Sequence, residues 1–175
     1  MIDADQVARD ILAPGGEGER TVLERFGSQV TRPDGTLDRQ ALAAVVFADA
    51  GQRQALEALT HPLIHEEVAR RVAASSAEVV VVELPLLDSD RRRQYGFDVV
   101  VLVDTPEETA VRRAVARGMA AGDVRARFAA QPTDQDRRSA ADWVLSNAGT
   151  PEALEAEVGE LWLWLHRRDG PVATG

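Results

Sequence analysis

Two unbroken β-branched runs constrain this chain most: Val79 to Val82, followed by Glu83-Leu84, and Val99 to Val103. A strand that alternates apolar and polar residues has one wet face. A strand without alternation is covered on both, the mark of a parallel sheet with helices on each side. The second run passes directly into Thr105-Pro106-Glu107-Glu108, which reads as a helix start: a capping Thr, Pro at the first helical position and Glu placed to complete a capping box. Trp143-Val144-Leu145 is a third, shorter strand. It ends in Ser146-Asn147-Ala148-Gly149 and feeds, through Thr150-Pro151, a helix with an apolar face of Leu154, Val158, Leu161, Trp162 and Leu165. Strands separated by helices predict an α/β fold with a parallel sheet and right-handed crossovers.

The residues ahead of the first run read as helices. Val7, Ile11 and Leu12 share one helical face, and Pro14-Gly15-Gly16 stops that segment. A second helix runs through Val22, Leu23 and Phe26 to a glycine cap at Gly27. Asp34-Gly35 signals a turn, after which Thr36 is expected to cap a helix carrying Leu42, Val45 and Val46. Another helix holds Leu56 and Leu59, and Thr60-His61-Pro62 is expected to open one with a stripe of Ile64, Val68 and Val72. One domain over residues 1–168 is expected, with a flexible tail at 169–175.

Composition removes several classes of function. Cysteine is absent, which excludes disulfides, thiol catalysis and thiolate metal sites, and a reducing cytoplasm is the expected setting. No apolar run reaches the ~20 residues of a membrane span, and no signal peptide is evident at the N-terminus. Net charge is −9, so no broad nucleic-acid footprint is expected. All 20 basic residues are Arg. Phosphates can be gripped here by the guanidinium fork, but not by a lysine.

Several residues carry candidate chemistry. Asp3 and Asp5 precede or open a helix, where an acid either complements the helix dipole or stands at the ligand-binding edge of a parallel strand. Glu83 ends the strongest strand, where an acid either faces solvent or holds Mg²⁺ through water beside a nucleotide. Arg113 and Arg117 lie four apart on one helix, with Arg112 beside them and Arg125 and Arg127 on the next. Such a face is either solvated or closes over a transferring phosphoryl group. His61 reads as a turn or cap residue, and Arg91-Arg92-Arg93 as a solvated loop.

In order, these elements resemble the dephospho-coenzyme A kinase family. The resemblance rests on Ile2-Asp3-Ala4-Asp5 before a helix with Ala8-Arg9, and on Asp34-Gly35-Thr36-Leu37-Asp38-Arg39. It continues through His61-Pro62-Leu63-Ile64, Pro85-Leu86-Leu87, Arg113, Ala129-Ala130-Gln131 and Asp142 to Gly149. It implies a P-loop kinase fold with a helical acceptor-binding part at about 6–75 and a lid at about 112–130. It also implies transfer of the ATP γ-phosphoryl group to the ribose 3′-hydroxyl of dephospho-coenzyme A, with Mg²⁺, the last step of coenzyme A synthesis.

By the same resemblance Asp5 would orient and deprotonate the hydroxyl. Asp3, Arg9, His61, Pro85, Leu86 and Leu87 would line the acceptor side. Arg113 would be the catalytic lid arginine, supported by Arg117, and Asn147 and Gly149 would border the adenine. Where the family has a glutamate after Pro-Leu-Leu, this sequence has Asp88-Ser89-Asp90. The family's opening strand and Gly-Lys-Ser/Thr loop would precede Ile2, which here follows Met1 directly. The 175 residues alone are therefore expected to be poorly stable and inactive in transfer, with a non-catalytic dephospho-coenzyme A or coenzyme A binder as the alternative. Nothing in the sequence fixes an oligomeric state.

Overall fold

The computed structural model describes residues 1–85, 92, 95–129 and 131–168. Leu86, Leu87, Asp88, Ser89, Asp90, Arg91, Arg93, Ala130 and the 169–175 tail lie outside the described residues. The chain forms two compact units, Met1–Pro85 and Leu86–Gly175.

The first unit opens with strand β1 (Ile2–Asp3) and helix α1 (Ala4–Ile11), followed by α2 (Glu17–Phe26) and a 3-10 turn (Gly27–Val30). Helices α3 (Arg39–Ala48) and α4 (Ala50–Ala73) lead to strand β2 (Val82–Glu83), which pairs with β1 in parallel. The core gathers Val22, Phe26, Val30, Leu37 and Leu42, backed by Leu56 and Leu59 of α4. Aspartates start three of these helices. Asp3 accepts the Gln6 amide at 3.0 Å, Asp38 accepts those of Gln40 and Ala41 at 3.0 Å, and Asp49 accepts those of Gly51 and Gln52.

Two sequence expectations change here. Thr36 does not cap α3: its amide and hydroxyl both donate to Asp34 Oδ1, at 3.0 and 2.7 Å, closing an Asx turn, and Asp38 is the cap. Nor does Thr60-His61-Pro62 open a helix, because α4 runs through Pro62 without a break. A mid-helix proline removes one backbone bond and costs ~3 kcal/mol in isolation. In α4 that is offset by packing on both sides of it, with Leu56 and Leu59 against the core and Val68 only 2% exposed. Thr60 is an interior residue, its hydroxyl donating back to the Leu56 carbonyl at 2.9 Å.

The second unit contains β3 (Val101–Asp104), α5 (Glu107–Ala116), α6 (Ala121–Ala129), α7 (Asp134–Ser139), β4 (Trp143–Ser146) and α8 (Pro151–Arg168). Strands β3 and β4 are parallel, with Val101 opposite Trp143 and Asp104 opposite Ser146. Val111 and Ala114 of α5 pack on Val124 of α6. Thr105 makes no helix cap; Pro106 holds that position without a side-chain bond. The glutamates expected to complete a capping box turn to the next helix instead, where Arg125 Nη2 donates to Glu108 at 2.9 Å and Nε lies 3.9 Å from Glu107.

The apolar face of α8 is also rotated from the expected one. Leu161 is buried and Trp164 lies against Trp143 with ring centroids 5.1 Å apart, while Val158 and Trp162 are about half exposed. The long valine runs are covered less fully than their composition suggested. Val79 and Val81 are exposed, Val80 and Val82 half-buried, and Val103 is 52% exposed. Among the described residues each sheet has two strands, so one set of side chains in each run has no neighbouring strand to pack beside.

Candidate active site

Parallel strands deliver their C-terminal ends to one edge, and in the first unit that edge is acidic. The register places Asp3 directly opposite Glu83, about 4.8 Å apart across the ladder. The helix α1 begins at the next residue. Asp3 is committed to it twice, through the Gln6 amide and an ion pair with Arg9 at 3.7 Å. Arg9 also donates through Nε to the Gln6 side chain at 3.1 Å. Asp5, in the first turn of the same helix, is exposed, and its carboxylate makes no hydrogen bond or ion pair with a described residue. Glu83 is likewise exposed at the strand end. The two readings left open for the acids thus separate by residue: Asp3 is a helix cap, while Asp5 and Glu83 are available to a ligand.

The structure therefore gathers Asp3, Asp5, Arg9 and Glu83 at one edge. Pro85 follows that edge and is exposed, and His61 sits half-buried in the middle of α4. The helix bearing Asp5 is fastened from two directions. Arg39 Nη2 donates to the Arg9 and Leu12 carbonyls at 2.8 and 2.9 Å, satisfying acceptors at the end of α1. Arg71 of α4 donates to Asp10 at 2.6 Å and to Glu67 at 2.7 Å, and Arg70 grips the same Glu67 through two nitrogens at 2.7 Å. These guanidiniums, Arg70 first, hold the Glu67 carboxyl down at about 2. Arg71 pulls Asp10 below its ordinary value as well.

Glu19 is a structural tie in this unit that sequence reasoning missed. It is 5% exposed, and its two oxygens accept the Leu37 amide at 2.9 Å and the Gly15 amide at 2.6 Å, so one carboxylate joins the loops on either side of α2. The Leu37 amide, then that of Gly15, lowers its pKa against the effect of burial. No local pattern announces this role, since both partners are backbone groups, one of them 18 residues away.

In the second unit the loop after β4 is tied at nearly every residue. The Ser146 amide donates to Glu157 at 2.6 Å, and the Asn147 amide to the Asp104 carbonyl at 2.7 Å. Arg113 of α5 supplies the rest. Its Nη1 donates to the Asn147 carbonyl at 2.7 Å and to Asn147 Oδ1 at 2.8 Å, and Nη2 donates to the Gly149 carbonyl at 2.8 Å. Arg113, Asn147 and Gly149 thus meet, although the arginine was expected over phosphates. Arg117, at the C-cap of α5, is exposed. Arg138 pairs with Asp104 at the end of β3. Arg92 clasps both oxygens of Asp142 at 2.8 and 2.7 Å, and Asp142 in turn accepts the Val100 amide, which anchors the start of the β3–β4 pair.

Comparison with known proteins bears directly on this arrangement. The family model described as dephospho-CoA kinase matches residues 1–152. A dephospho-CoA kinase of Frankia casuarinae is 45% identical over 175 residues, covering 99% of this chain and 76% of that protein. One from Thermobifida fusca is 42% identical over 171 residues, covering 96% and 84%. Among solved structures, TT1252 from Thermus thermophilus superposes with a TM-score of 0.75 at 33% identity, covering 94% of this chain and 83% of that one. A parallel α/β fold, an acidic strand edge with an unengaged carboxylate, and a match across nearly the whole chain lead to one conclusion: this chain belongs to the dephospho-CoA kinase family, a family of enzymes that are kinases.

Proposed function

We propose that this chain phosphorylates the ribose 3′-hydroxyl of dephospho-coenzyme A at the expense of ATP. The observation that carries the reading is Asp5: a carboxylate on the first turn of α1, just past the C-terminal edge of β1, engaged by no described residue. Asp5 orients the 3′-hydroxyl and takes its proton as the oxygen bonds to the γ-phosphorus. The bond from that phosphorus to the bridging oxygen breaks, and ADP departs with the electron pair. Little else is required of a protein in phosphoryl transfer beyond positioning and charge stabilisation.

Arg9, held against Asp3, serves the acceptor side with His61 and Pro85. Arg117 offers an exposed guanidinium to the phosphates, and the Asn147–Gly149 loop borders the adenine. Magnesium suits the exposed Glu83 at the strand edge through water only. Among the described residues no three His, Asp or Glu converge on a metal, whereas Mg²⁺ beside a nucleotide takes one or two carboxylates and keeps several waters. Bound there, the ion would neutralise charge on the β- and γ-phosphates.

A second reading has its own observation, the absence of lysine from these 175 residues. A phosphate grip built on lysine is not available from them, which favours acceptor binding without transfer. Calorimetry with dephospho-coenzyme A, paired with an ADP-release assay, separates the two. Binding with turnover supports the kinase, and binding without turnover supports the binder. Silence in both experiments overturns both. With turnover present, Asp5→Asn is expected to slow it by about 10²–10⁴-fold while acceptor binding and melting temperature stay unchanged. A variant that retained near-normal turnover would remove Asp5 from the mechanism.

A further inference from the structure

Three of the five N–H donors of Arg113 are aimed at a loop. Arg113 makes three bonds, two to main-chain carbonyls and one to a side-chain oxygen, and all fall within three residues of the β4–α8 loop. Arginine has donors only, so the Arg113 bond selects the oxygen of the Asn147 amide. That fixes the amide's orientation and turns Nδ2 away from the clamp, where no described residue accepts from it. The Ala148 and Gly149 amides also have no acceptor among the described residues. With Glu157 and the Asp104 carbonyl holding the amides of Ser146 and Asn147, the loop is a tied bracket that still presents three donors, the Asn147 Nδ2 group and the Ala148 and Gly149 amides. What fits such a bracket is a flat ligand rich in acceptors, as a purine's ring nitrogens are.

We propose that Arg113 is a positioning residue. It sets the Asn147–Gly149 loop so that the Asn147 Nδ2 amide donates to an acceptor nitrogen of the nucleotide base, and it acts on the reaction through that base, not through the phosphates. The inference rests on the reading that the loop borders the adenine.

Lysine at position 113 keeps the charge but has one nitrogen for three acceptors spread over two residues, so the bracket loosens. The test uses the full chain and two separate probes, adenosine for the base and inorganic tripolyphosphate for the phosphates. Arg113→Lys is expected to weaken adenosine binding by about tenfold, the loss of one neutral hydrogen bond to the base, and to leave tripolyphosphate binding unchanged. In turnover, KM for ATP should rise while kcat stays within about threefold, a split that general loosening of the fold would not give. Asn147→Asp is the companion variant. It retains an oxygen for Arg113 but has no amide donor, so adenosine should weaken with no change in melting temperature. It carries the test should Arg113→Lys not fold. Equal weakening of tripolyphosphate would overturn the inference and return Arg113 to the phosphates, leaving the adenine loop intact as an idea. Failure of the unsubstituted protein to bind adenosine at all would overturn both.

Discussion

Replacing Glu67 with glutamine tests whether the tie between α1 and α4 holds the Asp5 helix in place. Glu67 receives Arg70 through two nitrogens and Arg71 through one, each at 2.7 Å, and Arg71 reaches on to Asp10 of α1. The carboxyl sits at about 2 instead of its ordinary 4.5. At about 1.4 kcal/mol per tenfold change in acidity, that displacement alone would amount to roughly 3.5 kcal/mol. The Arg70 side chain is 66% exposed and that of Glu67 21%, and solvent-exposed pairs contribute about 0.2–1 kcal/mol each. Two pairs therefore stabilise the fold by about 1 kcal/mol.

The pH dependence has a definite sign. A carboxyl whose folded pKa is depressed stabilises fully above its unfolded pKa and loses that contribution as pH falls through the folded one. The difference between the parent and Glu67→Gln should be about 1 kcal/mol at pH 7 and should shrink between pH 4.5 and about 2. In urea this moves the midpoint by roughly 0.3–1 M. Trp143, Trp162 and Trp164 all lie in the second unit, so the transition is followed by helical circular dichroism. A difference equally large at pH 7 and pH 3, or none at pH 7, would refute the reasoning.

Glu19→Gln should lower the melting temperature, because an amide can accept one of the two backbone N–H groups but presents its own N–H₂ to the other. The deficit is expected at neutral pH and should narrow as pH drops below 4.5, since the Glu19 pKa is also depressed; an unchanged melting curve at pH 7 would count against the bridge. Phe26→Ala empties the centre of the first core, where the ring is 4% exposed. A loss of about 3–5 kcal/mol in denaturant titration is expected, and one below about 1 kcal/mol would show that the cluster collapses around the gap.

What the sequence revealed and what it hid divide along physical lines. The glycine cap at Gly27 and the Thr150-Pro151 helix start are local signals, set by a residue and its near neighbours, and the structure reproduces them. The valine runs starting at Val79 and Val99 foretold longer strands than the paired segments Val82–Glu83 and Val101–Asp104. The acidic edge was legible too, because two short strands and an Asp-x-Asp spacing suffice to place it. Pro62 was misread because its local penalty is offset by packing that lies outside the dipeptide. The rotated face of α8 depends on Trp143, a partner no periodicity reveals. The donors of Arg113 and the burial of Glu19 depend on contacts 34 and 18 residues distant. A helical arginine face looks the same in sequence whether it meets water, phosphate or a neighbouring carbonyl.

The ties of Glu19 and Arg39 have one more consequence. They all cross the exposed Pro33–Gly35 turn: Glu19 to the Leu37 amide, Arg39 to the end of α1, and the Thr31–Leu37 bridge between them. The turn itself is closed by Arg32 and Thr36, and its tip touches nothing that holds the unit together. Lengthening such a loop costs only about 0.6 kcal/mol per doubling. The Asp34–Gly35 junction is thus a splice point, a place where the chain would accept a guest peptide, or a cut, while the pieces on either side stay docked.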